Sequence, residues 1–448
     1  MAEDLEALAG RLLDAARAAG AEAADAIVVA GDSLSIEVRN GALEQAERAE
    51  GIDLGLRVLL GRRQACVSAS DTRAATIAAM AERAVAMARE APEDPWCGLA
   101  APEQLARGWD VAALDLADAA PLPSPDALRE AALAAEAAAL AVPGVTRMDG
   151  AGAGWSASRV HLAATNGFSG GYARTGHSVQ AVAISGEGTG MERDYAFESR
   201  THHADLPDPA GIGRLAGERA AARAGAAKPP TGAWPVVYDE RVASGLIGHL
   251  VQAINGLSVA RGASWLKDAM GERVLPAGID LVEEPFRPRI AGSRPFDAEG
   301  LPCARRALVA GGVLESWILD LATGRQLGLA STGNAARGTA SPPSPSAGNL
   351  TLTPGAVTRD QLLAEMGTGL LVTELIGASI NPTTGDYSRG ASGFWVEKGE
   401  IVRPVNECTV AGNLRAMLKT IRPANDALPH RSRLVPSLLV EGLVIAGS

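Results

Sequence analysis

A chain of 448 residues is longer than one hydrophobic core can fill, since single cores rarely extend beyond about 250–300 residues, so at least two domains are expected. Hydrophobic residues at 47% and charged residues at 21% give an ordinary globular balance and exclude wholesale disorder. A net charge of −11 argues against direct nucleic-acid binding, which needs a basic face able to displace phosphate counterions.

The acidic opening Met1-Ala2-Glu3-Asp4 is unlike a signal peptide, which needs positive residues followed by an apolar run, so a cytoplasmic location is expected. No membrane span is expected either. The most apolar stretch, 434–447, falls short of the roughly 20 residues a spanning helix requires and contains Glu441. Cys66, Cys97, Cys303 and Cys408 form no C-x-x-C pair, so neither a disulfide framework nor a zinc ribbon is indicated.

The chain opens with an alanine-rich helix over 3–20, followed by short strands at 25–30 and 33–39 around Gly31-Asp32 and a turn at Asn40-Gly41. Strands at 42–49, 52–60 and 63–69 lead to a helix over 72–89, with Asp71 as its N-cap. A proline-rich stretch, 92–124, reads as an ordered linker. The pattern then recurs: a helix over 126–142, strands at 145–163, a hairpin signal at Asn166-Gly167, strands over 171–186 and a helix over 209–226. Residues 1–227 are therefore expected to form an α+β region of two helix-and-hairpin units, about 1–91 and 125–227, suggesting an internal duplication.

Lys228-Pro229-Pro230 marks a boundary, because paired prolines remove two backbone donors. Residues 228–448 read as a mainly antiparallel β domain around one central helix. Expected within it are short strands at 265–267 and 274–275, a proline-broken segment at 281–290 unsuited to a central strand, and a hairpin at 306–309 and 313–319. Strands at 350–352 and 370–375, a helix over 359–366 capped by Thr358, a hairpin at 392–397 and 400–404, a helix over 413–420 and closing strands complete it. The aperiodic stretch 331–349 is expected to be protease-sensitive and to meet a partner, since few apolar contacts offset its ordering entropy.

The central helix covers 239–258. Val242, Leu246, Ile247, Leu250, Val251 and Ile254 fall on one apolar stripe at about 100° per residue, Asp239 is its expected N-cap, and the apolar run 234–238 before it reads as a buried strand. Gly245, Gly248, His249 and Gln252 occupy the other face. Each glycine costs roughly 0.5–1 kcal/mol relative to alanine, so two of them there suggest close approach of another segment.

This helix and the blocks at 365–377, 384–390, 393–397, 399–401 and 411–414 resemble the TldD/PmbA family of peptidase subunits, in its PmbA (TldE) branch. The TldD branch carries H-E-x-x-x-H on the equivalent helix, two histidines binding zinc and the glutamate acting as base. Overlaying the apolar residues puts Gly248 at the first histidine, His249 at the glutamate and Ala253 at the second histidine. Neither glycine nor a methyl group can ligate a metal. The resemblance thus implies a degenerate site with no catalytic residue and no cofactor in this chain, with zinc on a TldD-like partner. It further implies a heteromeric peptidase acting on unfolded or small peptides, with a homodimer as the isolated form. The alternatives are a self-sufficient metallopeptidase using other ligands and a non-enzymatic binding protein of the gyrase-modulator kind.

Thr384, Gly385, Asp386, Tyr387, Ser388, Arg389 and Gly390 have two open readings: a turn with Asp386 paired to Arg389, or a surface meeting substrate peptide or partner. The glycine-rich 183–190 lacks phosphate-loop spacing, and no G-x-S-x-G elbow occurs. His202 and His203 are adjacent and point apart, which disfavours shared ligation, and Cys408 is a weak counterpart of the family's further cysteine ligand.

Overall fold

The computed structural model describes residues 4–447. In the N-terminal half, Asp4 accepts hydrogen bonds from the first amides of α1 (Leu5–Ala18), whose Leu5, Leu8, Leu12 and Ala16 are buried; the expected helix position 3 lies outside the described residues. There follow β1 (Ala23–Arg39), β2 (Ala42–Leu60), β3 (Arg63–Ala69), α2 (Ala74–Glu90) and, within the linker, α3 (Val111–Leu114). The order then repeats as α4 (Pro125–Leu140), β4 (Val145–Ala164), β5 (Ser169–Ser185), β6 (Glu192–Arg200) and α5 (Pro209–Ala222).

All six strands form one antiparallel sheet in the order β3-β2-β1-β4-β5-β6, symmetric about the β1–β4 pair. The two units therefore share a single sheet. Contrary to the two short strands expected, Gly31-Asp32 does not interrupt β1, because Gly31 is paired on both sides, with Gly51 and Ser158, and the double ladder holds the strand straight through. Residues 42–60 likewise form one strand rather than two, because β1 pairs along its length and through Gly51. Asp71 does not cap α2; its carboxylate accepts from Thr76 Oγ1 at 2.6 Å and from the Arg73 guanidinium instead.

Strand alternation divides the two faces of this sheet. Ala24, Ala26 and Val28 pack under α1 and α2, and Leu34, Ile36 and Val38, on the same face, pack under α4 and α5. The other face carries Ile27 and Leu162 against Phe168, the linker residues Ala106 and Trp109, and Phe296 of the C-terminal half, so the linker and the C-terminal half cover it together there.

That half begins with β7 (Gly232–Tyr238), α6 (Glu240–Ala253) and α7 (Gly256–Ala260), with Asn255 capping α7 and so splitting the expected helix in two. Next come β8 (Leu281–Glu283), β9 (Arg306–Ala310), β10 (Val313–Leu314), α8 (Leu321–Leu327), β11 (Ala335–Ala336), β12 (Ser344–Pro345), β13 (Leu350–Leu352) and α9 (Arg359–Met366). The chain closes with β14 (Gly369–Ile380), β15 (Asp386–Glu397), β16 (Glu400–Asn413), α10 (Leu414–Leu418), β17 (Arg422–Pro423), β18 (Arg433–Leu434) and β19 (Leu438–Ala446).

The larger sheet runs β16-β15-β14-β7-β19-β17, and an added β16–β19 pairing closes it into a barrel-like form. Val236, Tyr238, Leu370 and Val372 share a core with α6, whereas Val237, Leu371 and Leu439 share one with α9. A smaller sheet runs β10-β9-β8-β13-β18. Its middle strand is β8, contrary to the expectation for 281–290, because Pro285 and Pro288 lie beyond the paired residues. Residues 265–267 and 274–275 are loop rather than strand; Trp265 and Val274 are nonetheless buried, their amides bonded to the carbonyls of Pro382 and Gly312.

The stretch 331–349 is also tied down, against expectation. Asn334 is buried and donates to both Glu283 carboxylate oxygens at 2.8 Å, Gly348 N–H donates to Glu283, and the Arg337 guanidinium reaches across to Asp25 on β1. Arg57 on β2 donates to the same buried carboxylate at 2.7 Å. Burial alone would raise the Asp25 carboxyl, but the two guanidiniums outweigh it and hold it below its usual range.

Candidate functional site

Asp239 ends β7 and accepts the Arg241 amide, and its carboxylate also engages the Arg241 and Arg359 side chains, fixing the entry into α6. Ala243, Leu246, Ile247, Leu250, Ala253 and Ile254 face the core. Glu240, Ser244 and Gly248 follow one another at four-residue spacing along a more open side, next to His249.

His249 meets Tyr387 of β15 edge to face, with ring centroids 5.8 Å apart, which brings the helix and the 384–390 segment together. Burial and the neighbouring Arg389 charge push the His249 imidazolium to a lower pKa, so the ring is neutral at neutral pH. Asp386 does not pair with Arg389. Its carboxylate accepts from Thr384 Oγ1 at 2.7 Å and Asn413 Nδ2 at 3.1 Å, which hold it below the usual carboxylate range, while Arg389 Nε donates to the Gly377 carbonyl at 2.6 Å. The turn is thus closed by two local networks instead of one ion pair. Gly385 takes a φ of +80° against Trp265, a conformation and contact that glycine meets most easily. Ser388 and Gly390 lie half-buried within β15.

The positions that the resemblance assigns to metal ligands do not fit a metal. Ala253 is 4% exposed inside the core, and its carbonyl accepts from Ser264 Oγ. A β-carbon on Gly248 would lie 3.0 Å from Arg433 Nη1, so a guanidinium crosses the helix there. Among the described residues, no group of three or more His, Cys, Asp or Glu side chains is arranged to hold a metal ion. Cys408 is buried, donates to the Ala391 carbonyl, and has its thiol pushed up to about 11 by burial. His202 lies 3.2 Å from Asp115 and 3.7 Å from Asp118, on the linker, and the His203 ring meets that of His177.

Sequence reasoning missed a cleft of about 430 Å³ where β6 and α5 meet the start of α6. Tyr195 and Phe197 of β6, Arg219 of α5, and Arg431 and Arg433 near the C-terminus line it. The available signal was the alternation of Asp194, Ala196 and Glu198 with Tyr195 and Phe197, which marks a strand whose aromatics face outward.

Comparison with known proteins matches the whole arrangement. Models of the PmbA/TldA metallopeptidase domain 1, central domain and C-terminal domain match residues 24–88, 119–224 and 231–447. The chain is 36% identical over 415 residues to the metalloprotease PmbA of Escherichia coli O157:H7, covering 92% of this chain and 90% of that one. A crystal structure of a Bacteroides thetaiotaomicron protein proposed as a modulator of DNA gyrase superposes with a TM-score of 0.92 at 28% identity, covering all of both chains. TldE from Thermococcus kodakarensis shares the fold, with a TM-score of 0.84 at 20% identity over 98% of this chain and 100% of that one. With these matches running in order through both sheets and the central helix, the chain belongs to the PmbA/TldD metallopeptidase family.

Proposed function

We propose that this chain is the metal-free, PmbA/TldE-type subunit of a heteromeric TldD-type metallopeptidase acting on unfolded or small peptides. The observation that carries this reading is the state of α6: Arg433 lies over Gly248 and Ala253 is sealed in the core, so the helix offers His249 alone where the resemblance expects a metal-binding constellation. On this reading, zinc and the base that activates water belong to a TldD-like partner. This chain supplies walls and peptide contacts, with the 384–390 segment as the contact surface, where Thr384 and Asp386 are exposed and Tyr387 backs His249.

The test is reconstitution. Mixed with a TldD-like subunit bearing intact H-E-x-x-x-H, the chain should co-elute in gel filtration and raise cleavage of an unfolded peptide above that of the partner alone. Separate elution with no change in cleavage would sink the proposal.

A further inference from the structure

We propose that the cleft between β6, α5 and the open side of α6 binds the C-terminal carboxylate of a peptide whose last residue is apolar. This rests on the reading of the chain as a peptide-handling subunit and names the chemical class it takes.

The walls come first. Tyr195 is 44% and Phe197 39% exposed, and Leu215 from α5 joins them in lining the cleft. Exposed aromatics in pairs are unfavourable in water, and here they share one concavity whose volume suits an amino-acid side chain and its carboxylate.

The charges are then sorted by what already holds them. Arg241 is committed to Asp194 and Asp239. Arg219 gives one N–H to the Tyr195 carbonyl at 3.1 Å, and Arg431 faces Glu198 at 3.6 Å. Arg433 differs from all three: it is exposed, lines the cleft, and its side chain makes no hydrogen bond or ion pair with any described residue. The absence of a side chain at Gly248 leaves room for that guanidinium across the helix. A guanidinium fork matches a carboxylate bidentately, and with Arg241 offset by Asp194 and Asp239, the remaining Arg219, Arg431 and Arg433 face Glu198 and Glu240 in the cleft lining. Burial and then the adjacent Asp239 raise the Glu240 carboxyl. A single uncommitted guanidinium beside apolar walls and two glutamates suits a monoanionic carboxylate on an apolar residue better than a phosphate dianion.

The test is titration calorimetry on the full chain without partner or zinc, using N-acetyl-Leu-Leu-Phe as the free acid and as the C-terminal amide. The acid should bind at least about tenfold more tightly, the usual scale for losing a charge-assisted hydrogen bond. Arg433→Gln should abolish the difference, Arg433→Lys should keep part of it, and Phe197→Ala should weaken both peptides alike. Because Arg433 is exposed and unbonded, the two Arg433 variants should melt with the parent. Equal binding of acid and amide, no binding of either, or displacement of the acid by inorganic phosphate at matching concentration would overturn the assignment. Since no partner is present, failure of reconstitution and failure of this site are separate results.

Discussion

At the scale of single residues, the junction of the two halves is governed by charges out of water. Asp25 holds Arg57 and Arg337 in a buried cluster, so Asp25→Ala should cost about 3–5 kcal/mol in urea unfolding, because two guanidiniums would remain without a counter-charge. Nearby, burial and then Asp297 push the Glu299 carboxyl up to about 8. The folded state thus binds a proton that the unfolded state, titrating near its ordinary value, has already released, and stability should fall as pH rises from about 5 to about 8. Glu299→Gln should flatten that slope and raise the melting temperature at pH 8; a parent melting curve unchanged across the window would refute the assignment. Little of this cluster was visible in the sequence, since Asp25 and Arg57 meet only through the β1–β2 register and Glu299 and Arg337 come to them only when the other half packs on that sheet face. The glycines and histidine of α6 were legible, because helical spacing alone puts Gly248 and His249 off the apolar stripe. Their neighbours Arg433 and Tyr387 were not, as both arrive from distant strands. Gly248→Ala should raise stability by roughly 0.5–1 kcal/mol through helix propensity if the Arg433 tip swings aside, and thermal denaturation measures it.

Among the elements, those with local signals were readable from the chain. Asp239 before α6, Thr358 before α9 and the Asn40-Gly41 turn are where side-chain chemistry put them. Strand lengths were not, because β1 runs through Gly31-Asp32 only with a ladder on each edge, and β6 hid its period by turning aromatics outward. The loop at 331–349 shows the same limit: its composition suggests mobility, yet buried Asn334 and Arg337 anchor it across two sheets. Gly55 is part of that anchorage, since a β-carbon there would lie 2.5 Å from the Thr339 carbonyl oxygen. Gly55→Ala should therefore push the loop off β2 and speed tryptic cleavage after Arg337, which should resist in the parent. Equal cleavage rates in parent and variant would show that the contact does not hold the loop.

Over the whole molecule, one sheet face carries four helices and the other carries the C-terminal half, and the closed sheet around α6 fixes the helix that the candidate site is built on. The pairings that make this architecture, β1 with β4 and β16 with β19, join strands far apart in sequence, which periodicity cannot reveal. No helix among the described residues is long and apolar enough to cross a membrane. On the proposal that this member of the PmbA/TldD family leaves metal chemistry to a TldD-like partner, the decisive measurement is elemental analysis. Chain purified alone and chain purified in complex with a TldD-like subunit should be compared for zinc after gel filtration. Zinc should be far below stoichiometric in the isolated chain and should track the partner in the complex. A tightly held stoichiometric zinc in the isolated chain, whose removal by chelation abolishes peptidase activity, would contradict it.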